Sequence, residues 1–129
     1  MEFATRVRSG SGFEKLASYS RAARMGKIVA VSGTAALDED GSALHPGDAY
    51  LQTRTALQTA LDAAAQLGVR RDHVVRTRIY LAPDCDWRAA TRAHGELFKD
   101  VDPANTTLFV AGFIPAGALV EVEIDGVCD

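Results

Sequence analysis

Cysteine, proline and tryptophan are all scarce in this sequence, which has two cysteines, four prolines and a single tryptophan. Cys85 and Cys128 stand far apart and neither belongs to a CxxC pair, so dithiol or thiolate-metal chemistry has no framework. Both read as small hydrophobes with a structural role. His45 and His73 fall near predicted element ends with no carboxylate or Cys at ligand spacing to complete a site, so no metal is expected. No linker, repeat or low-complexity run divides the chain, and the patch Ser9-Gly10-Ser11-Gly12 lies too near residue 1 to separate two domains. Residues 1–129 therefore read as one domain. No apolar run approaches the ~20 residues of a membrane-crossing helix. Residues 1–8 carry Glu2, Arg6 and Arg8 and no apolar stretch of the signal-peptide kind, from which a cytoplasmic location is expected. Positive charge is not concentrated either. A formal net charge of -3 and a pI near 5.6 argue against nucleic acid and against an anionic membrane surface as partners.

What is present is an ordinary globular composition, 47% hydrophobic and 24% charged, with clear changes of period. Residues 3–7 can form a strand. Ala22 to Arg24 and Ile28 to Val31 read as a hairpin turning at Met25 to Lys27, and Asp38-Glu39-Asp40-Gly41 is a further turn. From Asp48 the apolar residues Ala49, Ala56, Leu57, Ala60, Leu61, Ala64 and Leu67 recur at helical spacing, with Gly68 as the stop. Val75, Thr77, Ile79 and Leu81 then alternate with Val74, Arg76, Arg78 and Tyr80, a strand ended by Pro83. Asp86 can cap a second helix bearing Trp87, Ala90, His94, Leu97 and Phe98 on one face. Strands from Thr107 to Phe113 and from Leu119 close the pattern, the last alternating Val120, Val122 and Ile124 with Glu121, Glu123 and Asp125.

This order predicts an α+β domain, a mixed six-stranded sheet with two helices covering its apolar face. The other face would carry Arg76, Arg78, Tyr80, Glu121, Glu123 and Asp125. It is either a solvated surface or an interface between subunits, and periodicity alone leaves both open.

Six fragments, in order, carry a resemblance: Tyr19-Ser20-Arg21-Ala22, Val31-Ser32-Gly33-Thr34, Gln52-Thr53-Arg54, Val75 to Leu81, Pro103-Ala104-Asn105-Thr106 and Val120 to Ile124. The match runs from about Phe13 to Gly126, nearly the whole chain. The sequence resembles the Rid (YjgF-type) family. That resemblance implies a chorismate-mutase-like fold and a homotrimer whose sheets form a central barrel, with small-molecule pockets at subunit interfaces. It also implies hydrolysis of reactive enamines and imines, without cofactor or metal. In the family pattern an arginine holds the substrate carboxylate, a glutamate positions water, and a tyrosine and a Ser-Gly strand end line the pocket. Glu121 matches the catalytic glutamate, while Tyr19, Ser32 and Gly33 match the substrate-binding wall.

Asn105 stands where the pattern has arginine. An arginine fork gives two charge-assisted hydrogen bonds to a carboxylate, whereas an amide suits a neutral carbonyl or amide. Arg24, Arg76 and Arg78 are candidates to replace the missing cation, or they pair with the acids of the last strand. Asn105 could equally cap the turn after Pro103. His94, on the apolar helix face, reads foremost as a core or interface histidine. Two functions follow: a hydrolase of enamines, imines or related intermediates with altered substrate preference, or a non-catalytic trimer that binds a metabolite or modulates an enzyme.

Overall fold

The structure, a computed structural model, describes residues 5–129. Its strands are β1 (Arg6–Val7), β2 (Ala22–Met25), β3 (Ile28–Thr34), β4 (Val74–Leu81), β5 (Ala104–Phe109) and β6 (Val120–Val127). Helices α1 (Gly12–Ala17), α2 (Ala49–Ala65) and α3 (Trp87–Leu97) complete it. One mixed sheet runs in the order β1-β2-β3-β6-β4-β5. All neighbours are antiparallel except β4 and β5, which are parallel. Parallel neighbours need a long crossover, and α3 supplies it. β3 and β4 are also parallel to each other, through α2, but β6 is inserted between them.

Alternation on β6 makes the sheet two-faced. Val120, Val122 and Ile124 are buried with Ile79 and Leu81 of β4 and Val29 and Val31 of β3. Against them pack Ala56, Leu57, Ala60 and Ala64 of α2 and Ala89 and Ala90 of α3. Small alanines on both helices let them lie close to the sheet and to each other. Asp48 and Asp86 cap α2 and α3 by accepting from the backbone N–H groups of Leu51 and Ala89. Gln52, fully buried, donates to the carbonyls of His45 and Gly117 and accepts from the Leu119 N–H, which ties α2 to the approach to β6.

Several expectations need correction. Besides the two expected helices, the described residues form a third, α1. Ser11 caps α1 and accepts from the Glu14 N–H, and the Ser11-x-x-Glu14 pattern was a legible start signal. The expected opening strand is formed at Arg6–Val7, and Phe3 and Ala4 lie outside the described residues. On β4 it is Val74 that is buried and Val75 that is exposed, because a register irregularity against β6 between Val74 and Arg76 inverts the alternation. β5 begins at Ala104, three residues before its expected start, and ends at Phe109. Trp87 is 47% exposed, so the buried stripe of α3 is Ala89, Ala90 and Ala93. Among the described residues no helix is long and apolar enough to cross a membrane.

Candidate functional site

The candidate residues fall into two groups on opposite faces of the sheet. The first gathers around Gly33 at the end of β3. Glu121, the second residue of β6, lays its carboxylate directly over Gly33, where any Cβ would collide with Oε1. Arg21 closes the group. Its Nη2 donates to the Gly33 carbonyl at 2.5 Å, its guanidinium lies 5.9 Å from the Tyr19 ring centre, and its Nη1 is 4.0 Å from Glu14 Oε2. Ser32 donates its hydroxyl to the Ser20 carbonyl at 2.7 Å, which fixes the strand end. Tyr19, Ser32, Gly33 and Glu121 are thus gathered around Arg21 and the end of β3.

Burial raises the Glu121 pKa; the positive charge of Arg21 opposes the shift and Glu123 adds to it. No cation lies within ion-pair distance of Glu121 among the described residues, so its carboxylate is not clamped. Glu14, on α1, is the opposite case. Burial pushes its pKa up, but hydrogen bonds from the Ser9 hydroxyl and N–H and from the Ser11 hydroxyl, with the Arg21 charge, outweigh that and lower it. Arg21 Nε is buried without a hydrogen-bond partner in this chain.

The second group lines a cleft of about 360 Å³ between β5 and α3. Its apolar side chains are Ile79, Leu81, Trp87 and Phe109, Leu108 borders it from the β5 edge, and its polar atoms come from Thr91, His94, Asn105 and Thr107. β5 register places Asn105 beside Thr77, and the Asn105 amide donates to Thr77 Oγ1 at 3.0 Å. Thr107 donates to the Asn105 side-chain oxygen at 2.8 Å. Thr77 Oγ1 in turn lies 2.7 Å from His94 Nε2, and the His94 ring stacks at a tilt on Phe98, 4.8 Å between centres. Burial lowers the His94 pKa. One chain therefore does not bring Asn105 into the Glu121 group.

The candidate substitute arginines sit elsewhere. Arg24 donates to the carbonyls of Gly26 and Leu67, Arg76 to the Thr106 hydroxyl, and Arg78 pairs with Asp125 at 2.9 Å and Glu123 at 3.8 Å. Tyr80 donates to Glu123 at 2.7 Å. The cation nearest in role is Arg21, which sequence reasoning passed over although it stands two residues after Tyr19. Among the described residues no three His, Cys, Asp or Glu side chains cluster as a metal site would require.

The family described as endoribonuclease L-PSP matches residues 10–128. An uncharacterized protein of Streptomyces coelicolor is 43% identical over 124 residues, 96% of this chain and 92% of that protein. The 3-aminoacrylate deaminase RutC of Acinetobacter baylyi is 34% identical over 107 residues, 83% of this chain and 84% of its own. Among solved structures, a YjgF/YER057c/UK114 family member from Mycobacterium tuberculosis is 38% identical with a TM-score of 0.84, covering 96% of this chain and 98% of that one. The YjgF protein of Escherichia coli, at 18% identity, shares the fold with a TM-score of 0.78, covering 98% of this chain and 97% of its own.

Proposed function

We propose, for a chain that belongs to the endoribonuclease L-PSP family, also called YjgF or Rid, that it is a cofactor-independent hydrolase of enamines, imines or related reactive intermediates that lack an obligatory carboxylate. The observation that carries this reading is Glu121, a partly buried carboxylate with a raised pKa, free of an arginine clamp and set against the bare backbone of Gly33. A carboxyl group so placed, with its pKa raised by burial, is a better proton acceptor than an exposed carboxylate and can exchange protons with a substrate and with water. The reaction class asks for little else. An enamine is protonated at carbon to give an iminium ion, water adds to its carbon as one water proton leaves to a base, and the carbinolamine, protonated at nitrogen, expels ammonia while its hydroxyl proton passes to solvent to leave a carbonyl. Glu121 takes the proton of the attacking water and returns one to the departing nitrogen.

The relative from Acinetobacter baylyi is named for 3-aminoacrylate, an enamine that bears a carboxylate. This chain has an amide, Asn105, where the family pattern puts the carboxylate-binding arginine, and that supports a shift toward uncharged substrates. A ribonuclease reading has less support, since phosphodiester binding calls for clustered cations and the net charge is -3.

The chain acts as a homotrimer in this reading, with the ligand held between subunits. β5 supports it: all six residues of this edge strand, Ala-Asn-Thr-Thr-Leu-Phe, are exposed and none is charged. Such an edge is not left bare in a stable monomer. A neighbour would also set its Glu121 group against the cleft that holds Asn105, joining two half-sites.

The test is ammonia release from an uncharged N–H imine and from 2-aminoacrylate, by the natural protein and by Glu121→Gln. The natural protein is expected to favour the uncharged substrate, and Glu121→Gln to lose ~10²–10⁴ in kcat. Asn105→Arg should shift preference toward the carboxylated one. No acceleration of either, or an unchanged rate in Glu121→Gln, sinks the hydrolase. It would leave the second reading, a pocket that binds without turnover, which the full engagement of Asn105 by Thr77 and Thr107 favours.

A further inference from the structure

The hydrogens of the cleft between β5 and α3 can be assigned one by one. Asn105 Nδ2 faces the Thr77 carbonyl at 3.4 Å, and a carbonyl only accepts, so the amide nitrogen is on that side. The same NH₂ group donates to Thr77 Oγ1, which keeps its own hydrogen to give. Thr77 is fully buried, and the other partner of its hydroxyl among the described residues is His94 Nε2. A buried hydroxyl hydrogen without an acceptor costs ~1–3 kcal/mol, so that hydrogen lies on the line to Nε2. Nε2 is then an acceptor, and the imidazole is neutral with its proton on Nδ1. Nδ1 has no protein partner among the described residues and is not sealed from solvent. It is the donor left over in a cleft that His94 lines.

We propose that His94 Nδ1–H is the recognition donor of this cleft and that the group it receives is uncharged, a flat conjugated or aromatic moiety carrying a carbonyl or amide oxygen. None of the nine residues lining the cleft is an acid, a lysine or an arginine. The lining itself offers a carboxylate no cation: the Arg88 guanidinium stacks on Trp87, 4.9 Å from the ring centre, without lining the cleft, and a neighbour's Arg21 is engaged by its own Gly33 carbonyl and Glu14, so a carboxylate entering would lose its water with little return. His94 does not supply that cation, because protonating Nε2 would strand the Thr77 hydrogen, and burial already disfavours the charged ring. Trp87 and Phe109 offer aromatic surface to a flat group, and Ile79 and Leu81 close the apolar side. The inference rests on the reading of this cleft as part of the substrate site and narrows what that substrate is.

Trp87 is the single tryptophan and lines the cleft, so its fluorescence reports occupancy. Titration of the full-length protein with benzamide is expected to give a saturable change. Benzoate should bind at least ~10-fold more weakly, and His94→Phe should weaken benzamide by ~10-fold, the worth of one hydrogen bond. Long-range ¹H–¹⁵N correlation spectra of the natural protein at pH 7 should show His94 as the Nδ1–H tautomer, a readout that needs no variant. An Nε2–H tautomer or an imidazolium, benzoate binding as well as benzamide, or an unchanged benzamide Kd in His94→Phe overturns the proposal. If benzamide binds as expected while no imine is hydrolysed, the hydrolase reading falls and this one stands. Hydrolysis with His94-independent benzamide binding is the reverse result.

Discussion

Two glutamates flank Arg21 and should respond to pH with opposite sign. Glu121 has a folded pKa raised by burial above the ordinary 4.5, so the folded state holds its proton to higher pH than the unfolded chain does. Its favourable contribution is complete below pH 4.5 and is lost as pH rises through the folded pKa. Glu121→Gln is therefore expected to melt above the natural protein at pH 7, with the gap closing on acidification, while it loses activity. Thermal melts across that range check this, and a lower melting point for the variant at pH 7 would contradict it. Glu14 has a lowered pKa, so its contribution is present above 4.5 and disappears as pH falls through the folded value. Glu14→Gln should cost about 1–3 kcal/mol at pH 7, because hydrogen bonds from Ser9 and Ser11 to a charged acceptor are weakened. Gly33→Ala separates position from presence. The new methyl displaces the Glu121 carboxylate, which is the mobile end of a side chain, so stability should stay within about 1 kcal/mol of the natural protein. The rate should nonetheless fall toward that of Glu121→Gln.

At the level of elements, the junction between β6 and the segment before β4 is tight. A Cβ on Gly126 would sit 2.7 Å from Val69 Cγ1 and 3.3 Å from the His73 carbonyl. Gly126→Ala is expected to cost about 1–3 kcal/mol by overpacking, and Val69→Ala in the same chain should return part of it, as a denaturant double-mutant cycle would show. The elements themselves were largely legible. Period 3.6 from Ala49, period 2 from Val120 and the capping residues Asp48 and Asp86 are local signals, and the structure uses them as read. What failed was set by partners. Val74 and Val75 exchange faces because β6 slips against β4, and no property of the Val-Val pair encodes that. β5 was displaced because Ala104 and Asn105 have weak strand propensity, and with Thr106 they are held by pairing with Arg76, Thr77 and Arg78. The site was legible in the same degree. Glu121 beside Gly33 followed from ordered motifs, but the Asn105–Thr77–His94 chain depends on a helix crossing over a strand pair, which spacing alone does not reveal.

For the molecule as a whole, the exposed apolar residues favour association. Ile28 is 61% exposed and Leu108 42%, and their strand partners Val127 and Tyr80 put both on the sheet face that carries Arg78, Glu123 and Asp125. Light scattering at micromolar concentration is expected to give three times the 13.8 kDa chain mass, and a stable monomer would end the trimer. Replacing Leu108 by Lys should lower the mass by charging the edge strand. The placement of β6 has a further consequence for how the protein is made. A ribosome delivers β1 to β5 before it delivers β6, yet β6 is the strand that joins β3 to β4. Until residues 120–127 emerge, β3 and β4 have unpaired backbone edges, and α2 has only half a surface to cover. The nascent chain thus has no stable half-product to rest in. Its folding is deferred to one late step, and a stalled or shortened chain is left with two open strand edges for chaperones or other chains to find.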